Sequence, residues 1–133
     1  MRRSLACSLF SAFVICAPAL ADEVDAGRKL YEESCMACHG ATGSGGGELT
    51  GLLTIATPDL TTLSARNDGE FPMLKVIHII DGRSGLRAHG GPMPVYGSVF
   101  SASSAAGARD YGAVLETRGR ILSIALYLES IQG

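Results

Sequence analysis

The stretch Cys35-Met36-Ala37-Cys38-His39 constrains this chain more than any other. On a helix, positions i, i+3 and i+4 share a face, so both thiols and the imidazole would point one way. Two cysteines three apart with a histidine directly behind them fit three kinds of site: half of a zinc centre, a redox disulfide, or a covalent anchor for haem. The rest of the chain has to decide between them.

Compartment is the first constraint. The chain has 133 residues, a length that fits one domain. It opens with Met1-Arg2-Arg3, runs apolar from Leu5 to Ala17 and continues Pro18-Ala19-Leu20-Ala21. A basic start, a short apolar run and a small-residue end describe a secretory signal peptide, cut after Ala21. The apolar run falls short of the roughly 20 residues that a bilayer-spanning helix needs. Residues 1–21 are therefore read as a leader that is removed and 22–133 as one exported domain with no membrane span; a leader left uncut would serve as an N-terminal anchor.

Removing the leader changes the balance of the chain. Cys7 and Cys16 go with it, so Cys35 and Cys38 are the cysteines that remain. The 112 residues left carry 9 Lys and Arg against 13 Asp and Glu, a formal charge of −4. A mildly acidic domain without a basic run argues against nucleic acid as a partner. It has no Trp and only four Tyr, so a large cofactor in the core would suit it.

The remaining pattern is all-α with long loops. Val24 to Cys38 reads as a helix, with Asp22, Glu23 and Asp25 at its N-terminus, where acids are favourable. The glycine-rich stretch from Gly40 to Gly51 is irregular, a loop within the domain rather than a linker. Thr57-Pro58-Asp59-Leu60 is a turn leading into a short helix over 60–66. A second helix starts at Glu70-Phe71-Pro72, is apolar enough to be largely buried, and stops at Gly82. Arg87 to Ser104, rich in Gly, Pro and Ser, reads as irregular. From about Asp110 to Ile131, apolar residues recur at threes and fours, which predicts a long helix.

This context sorts the cysteine readings. A structural zinc site needs four ligands, and His78 and His89 are eleven apart with no further cysteine to join them. A thioredoxin-like pair belongs in a βαβ pattern, which is absent. A disulfide between residues three apart constrains little chain. A haem uses all three side chains: two thioethers to the porphyrin and an imidazole on the iron. The second iron ligand then comes from Met36, Met73, Met93, His78 or His89. Met36 lies inside the attachment motif and cannot reach across the ring, while Met73 and His78 sit on the apolar helix. Met93 stands between Pro92 and Pro94, whose rings fix the backbone, with Gly90, Gly91 and Gly97 to let the chain approach a flat ligand. Met93 is the preferred ligand and His89 the alternative.

These pieces resemble the class I, mitochondrial-like c-type cytochromes, and among them the small monohaem cytochromes of bacterial periplasms. Gly27, Tyr31 and the Cys35–Gly40 motif resemble the family's first helix and haem anchor; Met93-Pro94-Val95-Tyr96-Gly97 resembles its methionine loop; Ile124, Tyr127 and Leu128 resemble its last helix. The resemblance implies a cytochrome c fold of three to five helices around one covalent haem c, with the N- and C-terminal helices crossing where Gly27 and Tyr31 meet Ile124 and Tyr127. It also implies that the Pro58 carbonyl accepts a hydrogen bond from the His39 ring. With His39 and Met93 on the iron no position is open. The implied function is then one-electron transfer in the periplasm rather than catalysis, with a dehydrogenase as donor and an oxidase or reductase as acceptor. The alternatives are a dedicated cytochrome subunit of a periplasmic dehydrogenase or sulfur-oxidising complex, marked by a contiguous apolar patch, and a haem gas sensor or enzyme in which Met93 dissociates.

Overall fold

Two long amphipathic helices with a glycine at their contact set the architecture. The computed structural model describes residues 18–82, 93–105 and 110–133. Within them the order is α1 (Pro18–Ser34), α2 (Met36–His39), a 3-10 turn (Thr50–Leu52), α3 (Met73–Asp81), α4 (Tyr96–Ala102) and α5 (Tyr111–Ser130). No strand occurs among the described residues, and the fold is all-α, as the pattern predicts.

The most extensive contact between elements is that of α1 with α5. A Cβ on Gly27 would lie 2.6 Å from the Ser123 carbonyl carbon and 3.0 Å from Tyr127 Cβ, so the backbones meet only because residue 27 has no side chain. One turn on, the Tyr31 and Tyr127 rings pack 5.2 Å apart at an interplanar angle of 50°. Tyr31, Ile121 and Ile124 are the largest fully buried side chains, and Val76 and Ile80 from α3, Phe100 from α4 and Leu128 join them in one core cluster.

Helix α5 forms where its apolar periodicity predicts, and Asp110 caps it by accepting the Gly112 amide at 3.3 Å. Helix α3 follows Pro72 and ends at Gly82, whose φ of +90° only glycine adopts readily and whose amide donates to the His78 carbonyl at 3.1 Å. The expectation that α3 is largely buried is corrected. Val76 and Ile80, one turn apart, are buried, whereas Leu74 on the other side is 66% exposed.

Three boundaries differ from the sequence reading. Helix α1 already includes Pro18, so Asp22, Glu23 and Asp25 lie inside it rather than at its start. The helix expected over 60–66 is a succession of turns. The groups there bond elsewhere: Asp59 Oδ1 accepts the amide and the hydroxyl of Thr61, and the Ser64 amide donates to the Gln132 side chain at 2.9 Å. Conversely, part of the stretch 87–104 expected to be irregular is α4, in which Tyr96 and Phe100 stack one turn apart with ring centroids at 5.4 Å.

The helix contact makes a paired prediction. Gly27→Ala forces α1 from α5 and lowers stability by about 3 kcal/mol, the upper end of overpacking costs. Gly119→Ala, inside α5 where a Cβ meets nothing within 4 Å, raises it by about 0.5–1 kcal/mol. Urea unfolding of the two variants checks both signs.

Candidate functional site

The cysteine motif lies on a break between two helices. The Cys35 amide still donates to the Tyr31 carbonyl at 2.8 Å, but Cys35 leaves helical geometry with φ of −117°, and the Cys38 and His39 amides both turn to its carbonyl, at 3.1 and 2.9 Å. Helix α1 therefore stops at Ser34, and α2 restarts as a single turn ending at His39. Cys35 is buried, Cys38 is half-buried, and neither forms a disulfide. Burial pushes the Cys35 thiol up to about 12, with the charge of Cys38 adding to it. A thiol poised for disulfide exchange is shifted the other way, which counts against the redox-pair reading.

The glycine-rich loop closes back over this turn. A helix end leaves carbonyls without partners, and here the loop supplies them: Gly45 N–H donates to His39 (2.9 Å), Gly47 to Cys38 (3.2 Å) and Leu49 to Ala37 (2.8 Å). The Thr50 hydroxyl also donates to the Cys38 carbonyl, at 3.2 Å. Gly40 turns the chain at φ +76°, where a Cβ would run into the Gly45 carbonyl. The Tyr31 hydroxyl reaches across from α1 to donate to the Gly40 carbonyl at 2.6 Å, and burial raises its pKa.

The same loop brings Pro58 to the histidine. The Leu60 amide donates to Gly43 at 2.7 Å, and His39 Nδ1 lies 3.4 Å from the Pro58 carbonyl, a long contact that assigns the ring proton to Nδ1 and leaves Nε2 as a lone-pair donor. Asp59 fixes the turn behind it. The Thr61 hydroxyl and amide both donate to its carboxylate and hold it below the usual carboxylate range.

Met93 is half-buried and packs against the core cluster that contains Cys35. Met73 packs against that cluster too, from α3, while Met36 is exposed. His78 is half-buried on α3, where its backbone carbonyl receives the Gly82 cap. His89, together with Arg83, Arg87, Gly90, Gly91 and Pro92, lies outside the described residues. Gly97 has a different use from the one the sequence suggested: a Cβ there would strike Asp81 at the end of α3, its carbonyl oxygen lying at 2.6 Å. Its neighbour Val95 covers Gly82 in the same way. The methionine segment is thus seated on the C-terminus of α3.

Tyr96 lies in the methionine motif, but the bond it makes is one that motif reasoning missed. Its hydroxyl donates to the Ser34 carbonyl, 62 residues away in sequence, and its ring is half-buried. Burial, and after it the charges of Cys35 and Cys38, push its hydroxyl up to about 12. A single sequence carries no signal for a pairing of this range.

The donor set fits a haem. Two thiols outside any disulfide, one imidazole and one neutral thioether are what attachment and ligation of the iron require. No group of three His, Cys, Asp or Glu side chains among the described residues closes on a common point as zinc ligands must, Cys35, Cys38 and His39 included. Haem attachment asks for no such convergence, because the thiols bond the porphyrin and the imidazole the metal. The family model for cytochrome c matches residues 24–107, more than half of the chain, and spans the cysteine pair, His39, Pro58 and Met93. No curated protein and no solved structure matches the chain. With its all-α fold and its matched residues, the chain belongs to the cytochrome c family, haem-binding electron carriers whose cofactor is covalently attached haem c with its iron.

Proposed function

We propose that this protein is a periplasmic one-electron carrier in which Cys35 and Cys38 hold one haem and His39 and Met93 ligate its iron. One observation carries the reading: His39, directly behind two cysteines that form no disulfide, turns Nδ1 to the Pro58 carbonyl, the orientation in which Nε2 is the nitrogen that would face a metal. When bound, the haem supplies reversible one-electron exchange between ferric and ferrous iron. Cys35 and Cys38 keep it from dissociating. Pro58 fixes the tautomer and the ring direction of His39. Met93 contributes a soft, neutral sulfur that favours the ferrous state and raises the potential. With His39 and Met93 both holding the iron, a substrate would have nowhere to coordinate, and the role would be electron transfer rather than catalysis. Electrons would arrive from a periplasmic dehydrogenase and leave to an oxidase or reductase.

Export belongs to the same proposal. Cutting after Ala21 would start α1 at Asp22 and bring Asp22, Glu23 and Asp25 into its first turn, where carboxylates meet the positive end of the helix dipole. No described helix is long and apolar enough to cross a membrane.

A second reading, a cytochrome subunit held permanently by a dehydrogenase or sulfur-oxidising complex, is favoured by one feature. The loop strapped to the attachment turn exposes Leu49, Leu52 (81%) and Ile55 (54%), apolar side chains of the kind a lasting interface covers. Gel filtration of the native periplasmic form separates the two: a carrier elutes as the free chain, a subunit with a larger assembly.

Four outcomes are expected. Optical spectra of the exported protein show a c-type haem, with a methionine–iron charge-transfer band when oxidised and no shift with carbon monoxide when reduced. Met93→Ala keeps the haem, loses that band, binds carbon monoxide and lowers the potential by on the order of a hundred millivolts, a fraction of the roughly 0.8 V that axial ligation spans. An unchanged potential would pass the ligand role to His89. Cys35→Ser/Cys38→Ser yields no stable holoprotein, and mass spectrometry of the wild type finds Asp22 at its N-terminus.

A further inference from the structure

The methionine segment and the cysteine turn are remote in sequence, and one side chain joins them. Helix α4 begins three residues after Met93, at Tyr96, whose hydroxyl closes on the Ser34 carbonyl immediately before Cys35. That carbonyl is available because of the break at Cys35. The Cys38 amide, four residues on, bonds to Cys35 instead of continuing the ladder to Ser34.

The far end of α4 is fixed independently. Arg120 on α5 donates to Glu116 and, at 3.0 Å, to the Ser103 hydroxyl. The Ser104 hydroxyl donates to the same Glu116, and the guanidinium lies 5.7 Å from the centre of the Phe100 ring. Helix α4 is therefore a short rod fastened at its C-terminus to α5. At its N-terminus, where Met93 is carried, Tyr96 fastens it to the haem-attachment turn.

We infer that Tyr96 is a positioning residue whose hydroxyl bond to the Ser34 carbonyl ties the Met93 segment to the cysteine turn and so keeps the methionine sulfur on the iron. Losing the bond leaves a part-buried carbonyl without its donor and frees the N-terminal end of α4 while its C-terminal clamp persists. Met93 then leaves the metal more often although the rest of the fold stays closed. The inference rests on the His39/Met93 ligation proposed above.

The test uses the holoprotein. In Tyr96→Phe, loss of one hydrogen bond raises the methionine-dissociated population about five- to tenfold. It appears as an equal gain in carbon monoxide affinity of the ferrous protein and as an earlier loss of the methionine–iron band when pH is raised. Ile124→Val, at the contact of α1 with α5, loses a similar amount of stability but keeps the wild-type carbon monoxide affinity. Two results would overturn the inference: a Tyr96→Phe protein with wild-type carbon monoxide affinity and band, or an equal gain in Ile124→Val, which would mark a general loosening. Absence of the band from the wild type would instead refute Met93 as a ligand, and the positioning role would fall with it.

Discussion

The contact of Tyr31 with both α5 and the cysteine turn is the one on which the rest depends. Its ring is wholly buried against Tyr127 where α1 meets α5, and its hydroxyl donates to the Gly40 carbonyl just past His39. The packing that joins the terminal helices and the bond that ends the attachment turn are thus made by one side chain. Burial keeps the phenol protonated well above neutral pH, so the donor is not lost by titration in any ordinary medium. Gly27 one turn earlier makes this possible, because any side chain there would lift the ring from its partner.

From that fixed point the glycine-rich loop acquires a purpose that composition alone conceals. Glycine runs usually signal flexibility. Here their amides cap the last carbonyls of α2, and Gly47 has no room for a Cβ because the Ala37 carbonyl carbon would lie 2.6 Å from it. The loop then delivers Pro58 to His39 by way of the Leu60–Gly43 bond. The cysteine pair, the histidine and the histidine's hydrogen-bond acceptor are therefore organised by one continuous stretch, with α1 and α5 as its support.

Local chemistry was readable and long-range pairing was not. The cysteine motif, the Pro72 start and Gly82 stop of α3 and the Asp110 cap of α5 are each decided within a few residues, so spacing and residue type expose them. The helix expected over 60–66 failed because Asp59 and Gln132 compete for the groups that would have built its ladder, and Gln132 is remote in sequence. Helix α4 was hidden by its Gly and Ser content. What forms it is the burial of Phe100 and its stacking on Tyr96, and the one available cue was their spacing of four. Pro58 was legible only through family resemblance, and the Tyr96–Ser34 bond not at all.

The two sides of the proposed iron site consequently differ in how they are held. His39 follows directly on the cysteine turn, so attachment through Cys35 and Cys38 would bring it to the metal with little chain left to order. Met93 belongs to a separate segment, and thioether sulfur is a soft, neutral ligand that has to be presented rather than simply supplied. Covalent attachment makes its binding intramolecular, where effective concentration depends on how narrowly the connecting structure restricts the ligand. The chain restricts it at several points: Val95 against Gly82, Gly97 against Asp81, Tyr96 on Ser34, and the Glu116–Arg120 clamp beyond. Of these, the tyrosine bond runs directly to the turn that carries Cys35 and Cys38. If His39 and Met93 hold the iron as proposed, the constraint on the methionine is therefore concentrated in a contact that would make no bond to iron or porphyrin.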